Sequence, residues 1–249
     1  MNPTPRPTEE AYAELQQAYD FYNAALFDGA LPACLITFQR QKKTMGFFSS
    51  KRFGRRDGSM SDEIAMNPEY FAVVPMIDVL QTLAHEMTHQ WQAHFGKPSR
   101  ACYHNAEWAD KMEGIGLMPS STGRPGGKRV GQLMSDYVIA EGEFARATAA
   151  LLDTGFLISW LDRYPARMPA APEGDHSAPS STANAATEGF AGIPPAAFVA
   201  PTHTAASAYI ESPKTGNRSH RSKYTCPGCG LAAWGRPGLL IACVSCDNT

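Results

Sequence analysis

Two imidazoles and a carboxylate stand at the spacing of a catalytic zinc site in His85-Glu86-Met87-Thr88-His89. Residues four apart on an α-helix lie one turn above each other, so His85 and His89 can converge on one metal ion. Glu86 leaves that shared face and is placed to take a proton from water rather than to act as a ligand. Such a centre needs a third protein ligand and keeps a fourth position for water. His94 lies five residues past His89, which turns it about 140° around the helix and off the metal face. Phe95 occupies the position where a metzincin pattern would place its third histidine. Glu107 or Glu113 could complete the set, but His104, just ahead of a new helical pattern, is the better candidate.

A second ligand set lies near the carboxyl end. Cys226-Pro227-Gly228-Cys229 and Cys243-Val244-Ser245-Cys246 are paired CxxC units separated by thirteen residues. In a reducing compartment this pairing predicts a tetrahedral four-cysteine zinc site rather than disulfides. Gly230 eases the tight turn that aims backbone amides at the sulfurs. A redox CxxC would need one pair in a βαβ context, which this sequence lacks. Cys34 and Cys102 stand alone and are expected to be buried apolar thiols.

The elements that must hold these residues follow from periodicity. Ile77, Leu80, Leu83, Met87 and Trp91 recur at helical spacing around the histidines; Pro75 suits the start of that helix and Gly96 its end. Glu9 to Leu26 reads as an opening helix. Cys34–Phe38, Met45–Ser49 and Glu63–Met66 read as strands, with a turn at Gly54, Asp57 and Gly58 between the last two. A helix is expected from His104 to Gly114, a flexible loop over Pro119–Lys128 and another helix over Glu143–Trp160. From Met168 to about Ser212 the chain is dominated by Ala, Pro, Ser, Thr and Gly, a composition expected to form a linker without a core. The boundaries implied are a core at 1–167, a disordered linker at 168–213 and a basic stretch with the cysteines at 214–249.

These motifs together resemble the SprT family, whose eukaryotic relatives include the Spartan proteases. The family shows an HExxH helix, then a third histidine in the pattern H-x-x-E-[WF]-x-x-x-[ML]. Here that reads His104-Asn105-Ala106-Glu107-Trp108-Ala109-Asp110-Lys111-Met112. Leu26-Phe27-Asp28-Gly29-Ala30-Leu31-Pro32 is similar to the end of the family's opening helix, and bacterial members commonly carry a C-terminal zinc ribbon. The family often flanks its third histidine with glycines, where this chain has Tyr103 and Asn105. The resemblance implies an α+β fold: a zincin-like metallopeptidase core, with helices packed on a small antiparallel sheet, followed by a zinc ribbon. It implies one catalytic Zn2+ on His85, His89 and His104, one structural Zn2+ on Cys226, Cys229, Cys243 and Cys246, and Glu86 as general base. Tyr103 and Tyr137 are candidate donors to the oxyanion.

Composition limits the partners. The 249 residues carry a formal net charge of −2, so the whole molecule is not an electrostatic nucleic-acid binder and any such role must come from local patches. Lys42, Lys43, Arg52, Arg55 and Arg56, with Arg40 and Lys51, flank Phe47, Phe48 and Phe53 against the single nearby acid Asp57. Lys214, Arg218, Arg221 and Lys223 precede the cysteines with no acid between them. Interleaved aromatics and cations suit exposed or single-stranded DNA. With the resemblance, they predict an endopeptidase acting on DNA-associated proteins. The alternatives are a nucleic-acid-binding protein with an inactive core, which the intact Glu86 argues against, and a peptidase with no DNA role. No apolar run is long enough to span a bilayer, and the amino terminus lacks the apolar stretch of a secretory signal, so the cytosol is the expected compartment.

Overall fold

The computed structural model describes residues 6–100, 103–167, 190–201 and 222–235, together with Gly238, Cys243 and Cys246. The chain divides into two units, Met1–Ser212 and Pro213–Thr249. In the first, helix α1 (Pro7–Leu26) starts with a proline in its first turn and Glu9 and Glu10 near its amino end, where a helix favours negative charge. Leu15, Ala18, Tyr19, Tyr22 and Leu26 recur every three or four residues and form its buried face.

Three strands follow: β1 (Leu35–Phe38), β2 (Gly46–Gly54) and β3 (Met60–Met66), in the order β1-β3-β2. β2 and β3 form an antiparallel hairpin, while β1 and β3 run parallel. The sheet is therefore mixed, where an antiparallel one was expected. The reason is topological. β3 returns from the hairpin turn into the space between β1 and β2, and so runs in the direction of β1. The pairing of β2 is irregular between Ser49 and Phe53. Lys51 adopts a positive φ of 50° there, and its N–H donates to Asp62 Oδ1 at 2.7 Å.

After the short helix α2 (Pro68–Phe71), helix α3 (Met76–Phe95) runs through the middle of the unit and packs against α1, β2, β3 and helix α4 (Ala106–Gly114). Ile77, Leu80, Leu83, Ala84 and Met87 are at most 1% exposed, so the histidine-bearing helix is a core element rather than a surface one. α4 opens on Asn105, whose side chain accepts the Trp108 N–H at 3.0 Å, an N-cap that a glycine could not supply.

Strands β4 (Leu117–Ser120) and β5 (Ser135–Val138) pair antiparallel, Leu117 opposite Val138. Their pairing revises the reading of Pro119–Lys128 as a flexible loop. Pro119 and Ser120 belong to β4, and Ser120 Oγ donates to Arg124 O at 2.5 Å while Ser121 N donates to Lys128 O at 2.8 Å. Helix α5 (Glu143–Asp153) stops short of the expected Trp160, with Gly155 taking a left-handed φ of 83° just beyond it. Stacked rings of Tyr22 and Phe144, and a 2.8 Å hydrogen bond between Tyr22 and Thr148, fasten α1 to α5.

The expected linker at 168–213 also needs revision in its described part. Residues 190–201 contain a 3-10 turn at Pro195–Phe198, and Ile193, Ala197 and Phe198 join the hydrophobic core. A few apolar residues among small ones suffice once a neighbouring surface receives them. The rest of that segment and Cys102 lie outside the described residues, while Cys34 is free and half-buried.

The second unit holds an antiparallel hairpin of β6 (Ser222–Thr225) and β7 (Ala232–Gly235). None of its described residues is buried. Among the described residues, no helix is long and apolar enough to cross a membrane.

Candidate metal centre

His85, His89 and His104 form one cluster, with one ring nitrogen from each lying within 4.8 Å of the others. His85 and His89 sit one turn apart on α3, as their spacing requires. His104 precedes α4 and is held by an isolated antiparallel bridge: His104 N donates to Gly131 O at 2.9 Å, and Gly131 N to His104 O at 3.1 Å.

The ring geometry suits a tetrahedral ion. The Nε2 atoms of His89 and His104 are 3.1 Å apart, close to the roughly 3.3 Å expected for two nitrogens on one zinc. His85 Nδ1 meets Asp136 Oδ2 at 2.7 Å, and His104 Nδ1 meets Gly131 O at 3.3 Å. Trp108, fully buried, stacks on His89 at 5.3 Å and meets His85 and His104 edge-on at 4.9 and 4.4 Å. The three imidazoles rest on that indole.

Glu86 is 7% exposed and lies beside the cluster rather than in it. It receives a hydrogen bond from the Phe48 backbone N–H of β2. Gly46 explains how β2 comes so close to α3: a Cβ there would lie 2.9 Å from Thr82 Cγ2, 3.0 Å from Ala65 O and 3.4 Å from Glu86 Cγ. Burial pushes the Glu86 carboxyl up to about 7, Asp136 adding to the effect while His85 and the Phe48 N–H oppose it. For His85, burial favours the neutral ring, but the hydrogen bond to Asp136 and the charges of Glu86 and Asp136 outweigh it, and its pKa is raised. Burial, reinforced by His85 and His104, holds His89 well below its ordinary value. Burial and His85 bring His104 down to about 4. Two neutral imidazoles facing each other across 3.1 Å are ready to share a cation.

The other candidates for third ligand are occupied elsewhere. His94 Nε2 pairs with buried Asp62 Oδ2 at 2.6 Å. Glu107 accepts from Lys97 N at 2.6 Å and Gln92 Nε2 at 2.8 Å, and Glu113 pairs with Arg129. Tyr103 is half-buried with the Arg100 guanidinium over its ring, and Tyr137 is half-buried on β5. The sequence reading missed Asp136 and Gly131. Gln81, four residues before His85 on α3 and hydrogen-bonded to Asp136, was the one local signal that another polar partner belonged on that face.

Cys226, Cys229, Cys243 and Cys246 form the second cluster, again with ligand atoms within 4.8 Å of one another. Cys229 Sγ and Cys243 Sγ are 3.7 Å apart, against about 3.8 Å for two sulfurs of a tetrahedron with 2.3 Å bonds. Backbone N–H groups of Cys229 and Gly228 lower the Cys226 thiol to about 7, favouring the thiolate that a metal requires. Gly230 takes a φ of 72° and its N–H bonds Cys226 O at 2.9 Å, the expected turn.

The basic clusters look different in three dimensions. Lys42, Lys43, Lys51, Arg52, Arg55 and Arg56 are all exposed. Arg40 pairs with Asp162 at 2.8 Å, Arg52 with Glu63 at 3.9 Å and Arg55 with Asp57 at 3.4 Å, so the patch has three acids rather than one. Phe48 packs against the core and Phe53 is 37% exposed. Arg218 and Arg221 lie outside the described residues; Lys223 stands opposite the exposed Trp234 in the hairpin.

The family comparison bears on the first unit. The SprT-like family model matches residues 15–125, which include His85, Glu86, His89 and His104 but not Asp136 or the four cysteines. An uncharacterised protein in the mucB 3' region of Salmonella typhimurium is 59% identical over 59 residues, covering 23% of this chain and 80% of that protein. No solved structure matches the chain.

Proposed function

The chain belongs to the SprT-like family, and from that premise we propose that it is a zinc-dependent endopeptidase with a zincin-like core, acting on proteins associated with DNA. The observation that carries this reading is the convergence of His85, His89 and His104 beside a buried carboxylate that is not itself in the ligand cluster. When bound there, zinc lowers the pKa of water towards neutrality and polarises a peptide carbonyl. The donor set and the nitrogen separation fit that ion, and the three imidazoles would hold it.

The protein's own groups supply the remainder. Glu86 accepts the proton of the attacking water and returns it to the leaving amine. A raised pKa suits both halves of that transfer, and a nearby dication makes the carboxylate easier to ionise. Trp108 and the core face of α3 keep the imidazoles packed and shielded from solvent on one side. β2 is an edge strand running beside Glu86, a template along which an extended peptide can add.

The DNA part of the reading rests on charge and aromatic groups. Lys42, Lys43, Lys51 and Arg56 are exposed on the first unit, and Lys223 and Trp234 face the same side of the β6–β7 hairpin in the second. Phosphate contacts by such residues give salt-sensitive affinity, and an exposed indole offers a stacking surface for an unpaired base. The cysteine cluster in this reading holds a second zinc ion that shapes the hairpin.

The direct test incubates purified full-length protein with a DNA-binding protein, with and without single-stranded DNA, before and after chelation. Metal-dependent cleavage that DNA accelerates is the expected result. Cleavage that DNA leaves unchanged would reduce the reading to a peptidase without a DNA role. DNA binding with no cleavage under any condition would leave only a nucleic-acid-binding protein.

A further inference from the structure

Two of the three imidazoles are held from behind by one short stretch of chain that lies beyond the residues matched by the family model. Asp136, 7% exposed on β5, places Oδ2 2.7 Å from His85 Nδ1. Gly131, five residues earlier, presents its carbonyl oxygen 3.3 Å from His104 Nδ1 and bridges the His104 backbone in both directions. We propose that residues 131–136 form a positioning clamp for the metal centre, in which Asp136, braced by Gln81, orients His85 and the Gly131 carbonyl orients His104. This inference rests on the reading of the three histidines as metal ligands.

The hydrogen-bond inventory carries the argument. A carbonyl oxygen and a carboxylate can only accept, so each Nδ1 must bear the hydrogen. Each Nε2 then keeps its lone pair free for the metal. The second observation is the bracing of Asp136 itself. Gln81 Nε2 donates to Asp136 Oδ1 at 2.7 Å and to its backbone oxygen at 2.9 Å. One amide thus fixes both the strand and the carboxylate, and leaves Oδ2 for His85. Gln81, His85 and His89 succeed one another at i, i+4 and i+8 on α3, so the brace and two of the ligands share one face. A buried carboxylate on the far side of an imidazole also makes that ring a stronger donor to a cation.

A clamp of this kind predicts an effect on metal affinity beyond any effect on folding. The test uses full-length protein stripped of metal, with Asp136→Ala, Asp136→Asn and Gln81→Ala beside wild type. Zinc affinity is read by competition with a chelator. Cobalt substitution separates the two centres, because thiolate ligands give intense charge-transfer bands and an imidazole site gives weak visible ones. Asp136→Ala should weaken the histidine centre by about 10–100-fold. Asp136→Asn, which still accepts from Nδ1 but carries no charge, should lose about tenfold, at the low end of that range. Gln81→Ala should also weaken the centre and alter its visible cobalt bands, while affinity at the cysteines stays unchanged in all three.

Thermal melting of the metal-free proteins provides the structural control. Lower melting temperatures with unaltered affinity and cobalt bands would mean that Asp136 only fastens β5 to α3, and would overturn the proposal. Should Asp136→Ala fail to fold, Asp136→Asn and Gln81→Ala decide the matter by the same readouts. Wild-type protein that takes up no metal at the histidines would refute the peptidase reading and this inference with it. Normal wild-type uptake with unchanged variants refutes the inference alone.

Discussion

The histidine and cysteine clusters solve the same problem, gathering ligands around a point, with different amounts of help from the fold. His85 and His89 project from a helix whose apolar residues are almost wholly buried, and His104 is pinned by two backbone hydrogen bonds to Gly131. The cysteines are half-buried or exposed, in a unit that contributes no described residue to a hydrophobic core. The lesson is one of causation. A core can hold imidazoles in place ahead of a metal, whereas a short hairpin with no buried residue among those described would depend on a bound ion to hold it together.

The largest effect that would break this comparison is loss of a ligand. His104→Ala should weaken zinc binding at the histidines by more than about a hundredfold, beyond the loss typical of an outer partner, and remove activity with it. His94→Ala should leave zinc content near wild type, since that ring is engaged with Asp62. Metal analysis of the two purified variants checks both, and the reverse pattern would move the third ligand to α3.

The cysteine side gives the next effect. Cys226→Ser with Cys229→Ser should drop zinc from about two ions per chain to about one. It should lower DNA affinity by roughly tenfold, through loss of the hairpin and its phosphate contacts. Cleavage of an unstructured peptide should stay within about twofold of wild type if the core organises its own site. Calorimetry should show the melting of the first unit unchanged. A collapse of that transition would show that the two clusters are not independent.

A smaller effect tests where the core ends. Phe198→Ala should destabilise the first unit by about 3 kcal/mol, as removal of a buried ring does. Chemical denaturation measures this, and a change below about 0.5 kcal/mol would return residues 190–201 to the linker that composition suggested.

The last is a pH effect at Glu86, confined to metal-free protein. Its folded pKa is raised from 4.5 to about 7. The stability it contributes to metal-free protein is therefore fully present below about 4.5 and lost as pH rises through about 7. Metal-free Glu86→Gln lacks this contribution, so the stability of wild type relative to the variant should fall between those limits. A difference that stays flat or rises would contradict the burial assigned to the carboxylate.

The same contrast explains what could be read in the sequence. HExxH and CxxC are local spacings, and helix and turn geometry carry them into three dimensions unaided. His104 was half legible, because the following helix was visible but the bridge to Gly131 was not. Asp136 was not legible: Ser135–Val138 is a four-residue strand that pairs, among the described residues, with another four-residue strand. Gln81 marks the helix face that needs a polar partner, but nothing in the strand itself ties it to His85, 51 residues earlier. The basic patch misled for a related reason, since Asp162, the partner of Arg40, is 122 residues away. The mixed sheet depended on which slot β3 fills, which alternation of apolar residues does not encode.

The central claim is that three histidines hold the catalytic ion while Glu86 moves protons without holding it. Glu86→Gln separates these roles more directly than any other change. Zinc content and cleavage of a DNA-binding protein should be measured on the same purified samples of wild type and variant. The account predicts equal zinc and a fall in cleavage rate of about 10²–10⁴-fold. Loss of zinc from the histidine centre, or undiminished cleavage, would contradict it.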